Sequence, residues 1–212
     1  MSNPKLGVRE HALELAEAIQ TRRSIRRYQP DSPIPGEQLT RLLDIATWAP
    51  SSHNRQPWRF VVLTQLPARE GLARAMGERL RADRLADGDD PAAVEADVSR
   101  SYARITGAAA VVAVCLTMQD MDRYPDEKRS RAEYLMAVQS VAMAVQNLLL
   151  AAHLESLGAC WMCAPLFCGD AVRGALDLPA QWEPQALVTL GYPAGQGKLA
   201  QRKPLAEVML YR

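Results

Sequence analysis

The order of apolar and polar positions predicts a chain that mixes helices with strands. Apolar residues recur at helical spacing in 10–20 and again in 37–48. Runs of β-branched, aromatic or continuous apolar residues predict strands at 58–64, 109–116, 159–164 and 185–190. A short helix is expected at 169–176. The segment 109–116 is apolar throughout, which predicts a strand buried on both faces. Because no regular βα repeat is present, we expect an α+β fold.

A long apolar segment, 132–156, predicts a single helix. Four polar residues fall on one stripe of that helix through their seven-residue spacing: Gln139, Ser140, Gln146 and Asn147. A helix that is apolar on nearly all sides belongs in a protein core or a subunit interface. A membrane span is disfavoured, because the apolar run is shorter than about 18 residues and contains those polar side chains.

Between the first two predicted strands lies a polar, Arg- and Asp-rich helical segment, 67–104, interrupted at 88–91. Its composition predicts a mobile excursion or lid, where substrate choice would be made. No internal repeat or low-complexity linker divides the sequence. We therefore expect 1–212 to form a single domain.

Charge and cysteine content narrow the class of protein. Lys and Arg number 25 against 24 Asp and Glu, a net charge of +1, which argues against nucleic acid or an anionic membrane as partner. Charges interrupt every apolar stretch of 1–20, so no signal peptide is predicted and a cytoplasmic location is expected. The four cysteines are then expected as reduced thiols.

The densest charge in the sequence is a cluster of four arginines around Ser24: Arg22, Arg23, Arg26 and Arg27. Guanidinium groups bind phosphate through paired hydrogen bonds, and a neighbouring hydroxyl adds another contact. Taken alone, such a cluster is more often a solvated basic surface, or a complement to the dipole at a helix C-terminus. Phosphate binding therefore needs a second signal.

A polar loop, 49–58, follows the second predicted helix and precedes the first predicted strand. Its small hydroxyl, amide and proline residues could hydrogen-bond a planar heterocycle: Pro50, Ser51, Ser52, Asn54 and Gln56. The alternative is an ordinary helix-ending turn that Ser51 and Asn54 cap.

Together the two motifs resemble the nitroreductase family of flavin enzymes. In that family the first helix ends in Arg-(Arg/His)-Ser, and the second runs into Ala-Pro-Ser-x-x-Asn-x-Gln-Pro. The resemblance continues, in the family's order, through segments 146–152, 157–161, 191–193 and 202–208. Within the family, segments 75–83, 124–126 and 166–184 are most similar to the C-terminal flavin domain of the deazaflavin-coenzyme gamma-glutamyl ligase.

The resemblance implies an intertwined homodimer with a central mixed, mostly antiparallel sheet flanked by helices. It implies FMN at the two interface sites, reduction by NAD(P)H, and a small conjugated acceptor such as a nitroaromatic or quinone. No catalytic acid or base stands out. The FMN contacts that it implies are Arg22, Arg23, Ser24, Arg26, Pro50, Ser51, Ser52, Asn54, Met162, Cys163, Ala164, Arg202 and Lys203.

The closer resemblance implies that Asp83 contacts a deazaflavin substrate, with a solvated helix carboxylate as the alternative. Reduction of a deazaflavin-coenzyme precursor, or flavin storage without turnover, therefore remain open beside the general oxidoreductase. A flavin-fragmenting activity is disfavoured, because its enzymes carry an acidic residue where this chain has Ser24.

The sequence predicts no metal site. Cys160, Cys163 and Cys168 could suggest zinc or redox chemistry, but alternate positions of a strand over 159–164 would direct the first two sulfurs to opposite faces. Buried small hydrophobic residues are the favoured interpretation. The three histidines, His11, His53 and His153, are too dispersed for a metal triad.

Overall fold

The computed structural model describes residues 15–212. Residues 15–21 are helical (α1), so the described part of the first predicted helix is confirmed, while 10–14 and His11 lie outside the described residues. The remaining helices are α2 (Gly36–Thr47), α3 (Leu66–Ala86), α4 (Pro91–Thr106), α5 (Glu127–Leu154) and α6 (Gly169–Ala175). The strands are β1 (Trp58–Leu63), β2 (Ala110–Leu116), β3 (Gly158–Met162) and β4 (Glu183–Gly191).

The four strands form one sheet in the order β1-β2-β4-β3, and every neighbouring pair is antiparallel. All seven residues of β2 are buried, which confirms the prediction of a strand covered on both faces. Alternate side chains of β2 enter two separate cores: Val112 and Val114 on one face, Val111 and Ala113 on the other. Among the described residues the parallel component of the expected mixed sheet is one isolated bridge, between Ser24 and Ala159.

Helices cover both faces of the sheet, as an α+β fold requires. α2 and α5 pack together over one face, and α3, α4 and α6 lie over the other. The predicted fold class is confirmed.

The long helix α5 begins at Glu127 rather than Ala132. The Asp126 carboxylate accepts a hydrogen bond from Arg129 N at 2.9 Å, which caps a polar first turn that the apolar pattern does not reveal. An 18-residue window of α5 has a mean hydropathy of 1.6, enough for a membrane span by length and composition, but half of that window is buried in the fold. A core helix passes the same test.

The segment 67–104 forms most of an antiparallel hairpin of α3 and α4. Its base belongs to the core, because Leu72, Met76 and Ile105 are fully or nearly fully buried. Ion pairs of Arg81 with Glu95 and of Arg84 with Asp97 join its two arms, and Arg84 also pairs with Asp89 in the turn between them. Lid movement stays a prediction, and this packing confines it to the outer part of the hairpin.

The chain from Arg22 to Tyr28 lies against β3 and β4 so closely that two glycines are required. A Cβ on Gly158 would lie 2.7 Å from Ile25 Cγ2, and one on Gly191 would lie 2.8 Å from two ring carbons of Tyr28. Heavy atoms do not approach to such distances without rearrangement. The absence of side chains at these two positions thus places the arginine cluster on the edge of the sheet.

Gly191→Ala should therefore destabilise the fold. We expect a loss of about 1–3 kcal/mol, because the buried Tyr28 ring must shift. For a chain of this size each kcal/mol corresponds to roughly 2–4 °C in melting temperature, which calorimetry would record. Gly174→Ala, inside α6 where nothing lies within 4 Å of the added Cβ, is the matched control and should leave stability unchanged or raise it by up to about 1 kcal/mol, because alanine favours a helix. Equal melting temperatures for the two variants would contradict this account.

Candidate flavin site

Backbone hydrogen bonds fix the arginine segment, which we define as Arg22–Tyr28, to the edge of the sheet. Ile25 N donates to Ala159 O at 3.0 Å, and Ala194 N donates to Arg27 O at 3.1 Å. Just beyond the segment, Gln29 N donates to Tyr192 O at 2.8 Å. The guanidinium groups therefore project from a backbone that is held on both sides.

Tyr28 is the side-chain anchor of this segment. Its buried hydroxyl lies 2.7 Å from Ile25 O, 3.0 Å from Thr189 O and 2.7 Å from Thr189 Oγ1. Burial raises the pKa of Tyr28 well above its usual value, so the hydroxyl keeps its proton at physiological pH. Tyr28 thus ties the arginine segment to β4.

The first cavity beside this segment has a volume of about 690 Å³. It is lined on the polar side by Thr21, Arg22, Arg23, His153, Ser156 and Gln196. Arg23 Nη1 donates to Gln20 O and Arg22 O, but Arg23 Nε is buried without a hydrogen-bond partner. A buried donor left unsatisfied is costly, and an anionic ligand in the cavity would satisfy it.

His153 stands at the far wall of the first cavity. The Thr21 hydroxyl donates to Glu17 O at 2.7 Å, so it accepts from His153 Nε2, which lies 2.9 Å away. Burial, followed by the charges of Arg22 and Arg23, lowers the pKa of His153. The imidazole is therefore neutral at pH 7 and acts as a hydrogen-bonding wall rather than as another cation.

The second cavity, of about 950 Å³, lies on the other side of Ile25. Its polar lining consists of Ser24, Arg26, Arg27, Arg100, Arg104 and Lys198, and no carboxylate belongs to that lining. Sequence reasoning missed Arg100 and Arg104 because they belong to the segment expected to be a lid. Their i,i+4 spacing on one helix face was the available signal.

The polar loop at 51–56 is rigid. Ser51 Oγ accepts from Gln56 N at 3.0 Å, and Ser52 N donates to Ser140 Oγ on α5 at 3.2 Å. Three residues of the loop have positive φ: His53 (49°), Asn54 (53°) and Gln56 (51°). Strained backbone of this kind persists only where its surroundings hold it, and it concentrates at functional sites.

One chain does not bring this loop to the arginine segment. Both contact α5, the loop at Ser140 and the segment's neighbour Thr21 at His153. Between those positions the helix rises about 20 Å, at about 1.5 Å per residue. The two predicted halves of the flavin site are therefore well separated within a single copy.

The third predicted group lies at the end of β3. Met162 is the last residue of the strand and is half-buried, Cys163 is exposed, and Ala164 starts a 3₁₀ turn. Next to them the indole N–H of Trp161 is buried without a partner. This strand runs from the arginine segment, which bridges to Ala159, toward the opposite end of the sheet.

Three other predicted residues lie away from these cavities. Arg202 and Lys203 are exposed in the C-terminal segment and line neither cavity, whereas Lys198 does. Asp83 is exposed on the outer part of α3 and also lines neither. Their assignments stay predictions.

The cysteines are free thiols, and three of them are buried: Cys115, Cys160 and Cys168. Burial raises the pKa of Cys115 to about 12, and it raises the pKa values of Cys160 and Cys168 as well. Since β3 ends at Met162, strand alternation does not decide the direction of Cys163. Residues 15–212 contain no group of three or more His, Cys, Asp or Glu placed to hold a metal ion.

Comparison with known proteins shows the family to which this chain belongs. Residues 19–192 match the nitroreductase family. The chain is a member of the nitroreductase family, and the resemblance seen in its two motifs is confirmed.

Similar proteins span nearly the whole chain. A protein named NADH dehydrogenase from Thermus thermophilus is 31% identical over 94% of this chain and 97% of its own. A provisionally named NADH dehydrogenase/NAD(P)H nitroreductase from Methanothermobacter thermautotrophicus is 30% identical over 86% of this chain and 78% of its own. A provisionally assigned nitroreductase from Desulfovibrio desulfuricans, crystallised in complex with FMN, is 29% identical, with a TM-score of 0.71 over 100% of this chain and 98% of its own.

Tyr28→Phe tests the anchor of the arginine segment. It should cost about 1–3 kcal/mol, because buried acceptors lose their donor. The raised pKa also predicts a pH dependence: above about pH 10 the unfolded tyrosine ionises while the native one keeps its proton, so stability falls. Urea unfolding at about pH 8 and about pH 10.5 should show a smaller alkaline loss in the variant than in the wild type.

Tyr211→Phe is the matched control, because that side chain is 85% exposed. It should leave the unfolding free energy unchanged at neutral pH. The anchoring role would be refuted if both variants lost stability to the same extent.

Proposed function

We propose that this protein is an FMN-dependent oxidoreductase that accepts electrons from NAD(P)H and transfers them to a small conjugated acceptor, such as a quinone or a nitroaromatic. The observation that carries the proposal is the pair of cavities on either side of the arginine segment. The guanidinium groups of that segment line both cavities and are placed to bind an anion. When bound, FMN supplies the hydride exchange between donor and acceptor. The family names and the FMN-bound relative support the same assignment.

The residues present fit a flavin phosphate. Within 15–212 no carboxylate lies within ion-pair distance of Arg22, Arg23 or Arg26, and the buried Arg23 Nε has no other partner. We assign the phosphate and the ribityl chain to Arg22, Arg23 and Ser24. Arg26 then lies beside the polar edge of the ring system, where its positive charge favours the anionic reduced form.

Arg104 joins Arg26 in the second cavity and strengthens this electrostatic effect. Charge held in place before reduction costs no reorganisation when negative charge develops. The protein therefore contributes phosphate binding, orientation and electrostatics rather than an acid or base.

We further propose that two copies of the chain complete each site. Pro50, Ser51, Ser52 and Asn54 are held about 20 Å along α5 from the arginine segment, so they would contact the flavin bound by a second copy. Leu135 and Met143 of α5 are exposed apolar residues that a second copy would cover. The C-terminal segment carries more of them: Leu199, Leu205, Val208 and Leu210.

Purified protein should be yellow, and NADH or NADPH added without oxygen should bleach it. Colour should return with menadione or nitrofurazone, whereas a flavin-storage protein would keep its absorbance.

Arg23→Ala with Ser24→Ala should weaken FMN binding about 10–100-fold, since charge-assisted hydrogen bonds are worth roughly 1.5–3 kcal/mol. Arg74→Ala, which removes an exposed cation on α3, is the control. Unchanged FMN affinity in the double variant would reject the site assignment.

Mixing subunits tests whether the site is shared. An Arg23→Ala chain and an Asn54→Ala chain each lack one half of every site in their own homodimers. A mixed dimer has one site with both halves intact, so unfolding and refolding the two variants together should restore FMN binding in that fraction. Titration of FMN fluorescence measures it. Mixtures that bind no better than the separate variants would place both halves in one chain.

A further inference from the structure

A third cavity, of about 790 Å³, lies at the end of the sheet where β2 ends and β4 begins. The connection after β2 supplies Asp122, Arg123 and Tyr124, while Arg173 of α6 and Glu183 of β4 form the opposite wall. None of these residues belongs to the two cavities beside the arginine segment.

The lining of this cavity is bonded to the polar loop, although no residue of 51–56 belongs to that lining. Arg55 of the loop forms an ion pair with Asp122, with 2.6 Å between Nη2 and Oδ1. Thr117 N, at the start of the connection, donates to Pro57 O at 2.9 Å. If Ser51–Asn54 contact the flavin of a second copy, as the proposed function requires, the Arg55–Asp122 ion pair joins this cavity to the loop that meets that flavin.

The carboxylates of this cavity are already engaged. Asp122 is paired with Arg55, and Glu183 Oε1 accepts from Tyr134 OH at 2.5 Å and from Gln185 Nε2 at 2.9 Å. Glu133, fully buried below the connection and outside the cavity lining, accepts from Asp122 N at 3.2 Å and fixes that backbone.

The arginines of the cavity are not engaged. Within the described part of the chain, neither Arg123 nor Arg173 has a carboxylate within 4 Å. The one hydrogen bond of the Arg173 guanidinium is a long contact from Nη1 to Ala180 O at 3.4 Å. Two guanidinium groups thus line a cavity in which Asp122 is paired with Arg55, while Glu183 is hydrogen-bonded to the neutral donors Tyr134 and Gln185.

Tyr124, the residue after Arg123, adds an aromatic ring to the same cavity lining. The guanidinium of Arg129 lies over the Tyr124 ring, with Cζ 5.2 Å from its centroid, which holds the ring in place. A held ring beside unengaged guanidinium groups suits a flat molecule that carries an anionic group.

We propose that Arg123 and Arg173 form an anion subsite for the substrate that exchanges at the flavin. The substrate class is a planar conjugated compound with a carboxylate, sulfonate or phosphate group. The inference rests on the proposed function. It adds a preference for substrates that carry an anionic group, which the cavities beside the arginine segment do not determine. The anionic group belongs either to the electron acceptor or to the 2′-phosphate that distinguishes NADPH from NADH.

Two charge-neutral variants, Arg123→Gln and Arg173→Gln, test the subsite in the FMN-loaded protein. For 1,2-naphthoquinone-4-sulfonate, kcat/KM should fall about tenfold in each variant, the effect of one charge-assisted hydrogen bond, while menadione should be unaffected. A second arm compares NADPH with NADH. A fall confined to the sulfonate assigns the anion to the acceptor, and a fall confined to NADPH assigns it to the donor.

Arg131→Gln is the matched control. It removes one exposed positive charge from the start of α5 without touching the cavity lining, so it reports any long-range field effect. Equal losses in Arg131→Gln and the two cavity variants, or no loss in either arm, would overturn the subsite.

A binding measurement separates this inference from the proposed function. Calorimetric titration of the oxidised protein with 2-naphthoate, in the absence of any electron donor, should give binding that each cavity variant weakens about tenfold. Failure of NAD(P)H to bleach the protein would reject the oxidoreductase while leaving this titration readable. Absence of naphthoate binding, together with no loss in the NADPH arm, in a protein that does turn over would reject the subsite alone.

Discussion

The attachment of the arginine segment to the edge of the sheet is the constraint on which the rest of this structure depends. The guanidinium groups of four arginines within six residues repel one another, and a free backbone would let them move apart. Here Tyr28 reaches through to Thr189 of β4, and the lack of a side chain at Gly158 and Gly191 lets Ile25 and Tyr28 lie directly on the strands. The packing of Ile25, together with the packing and hydrogen bonds of Tyr28, therefore determines the positions of the arginine side chains.

That attachment divides the space around the segment into two cavities, because Ile25 faces the sheet while its neighbours point to either side. The same geometry sends the second group of polar residues elsewhere. The loop 51–56 is anchored to α5 about 20 Å from His153, a distance fixed by the rise of an intact helix. The intact helix thus keeps the two predicted halves of the flavin site apart within one copy, and this separation is the basis for proposing that a second copy supplies the other half.

Much of this fold could be predicted from hydrophobic pattern, because burial on one or two faces leaves a clear period. The unbroken apolar run of β2 predicted its central place, and all its residues are buried. The start of α5 could not be predicted in the same way, because its first turn is polar and depends on a local cap from Asp126. Arg100 and Arg104 of α4 were missed for a related reason: their i,i+4 spacing places them on one face of the helix, but it does not show what that face packs against. Arg104 reaches the arginine segment only through tertiary packing, which no local pattern encodes.

The arginines on the surface of the α3–α4 hairpin and those of the arginine segment differ in whether they form ion pairs. On the α3–α4 hairpin, Arg79, Arg81 and Arg84 all have carboxylate partners, although exposed ion pairs of this kind contribute only about 0–1 kcal/mol each. With 24 acidic residues in the chain, partners for the arginine segment were equally available in composition. Yet Arg22, Arg23 and Arg26 have none within the described residues, and Arg23 even buries an unsatisfied Nε. Water solvates the exposed Arg26, so the cost lies in the buried Arg23 Nε, and the anionic ligand proposed for this segment would supply the negative charge that the described residues do not.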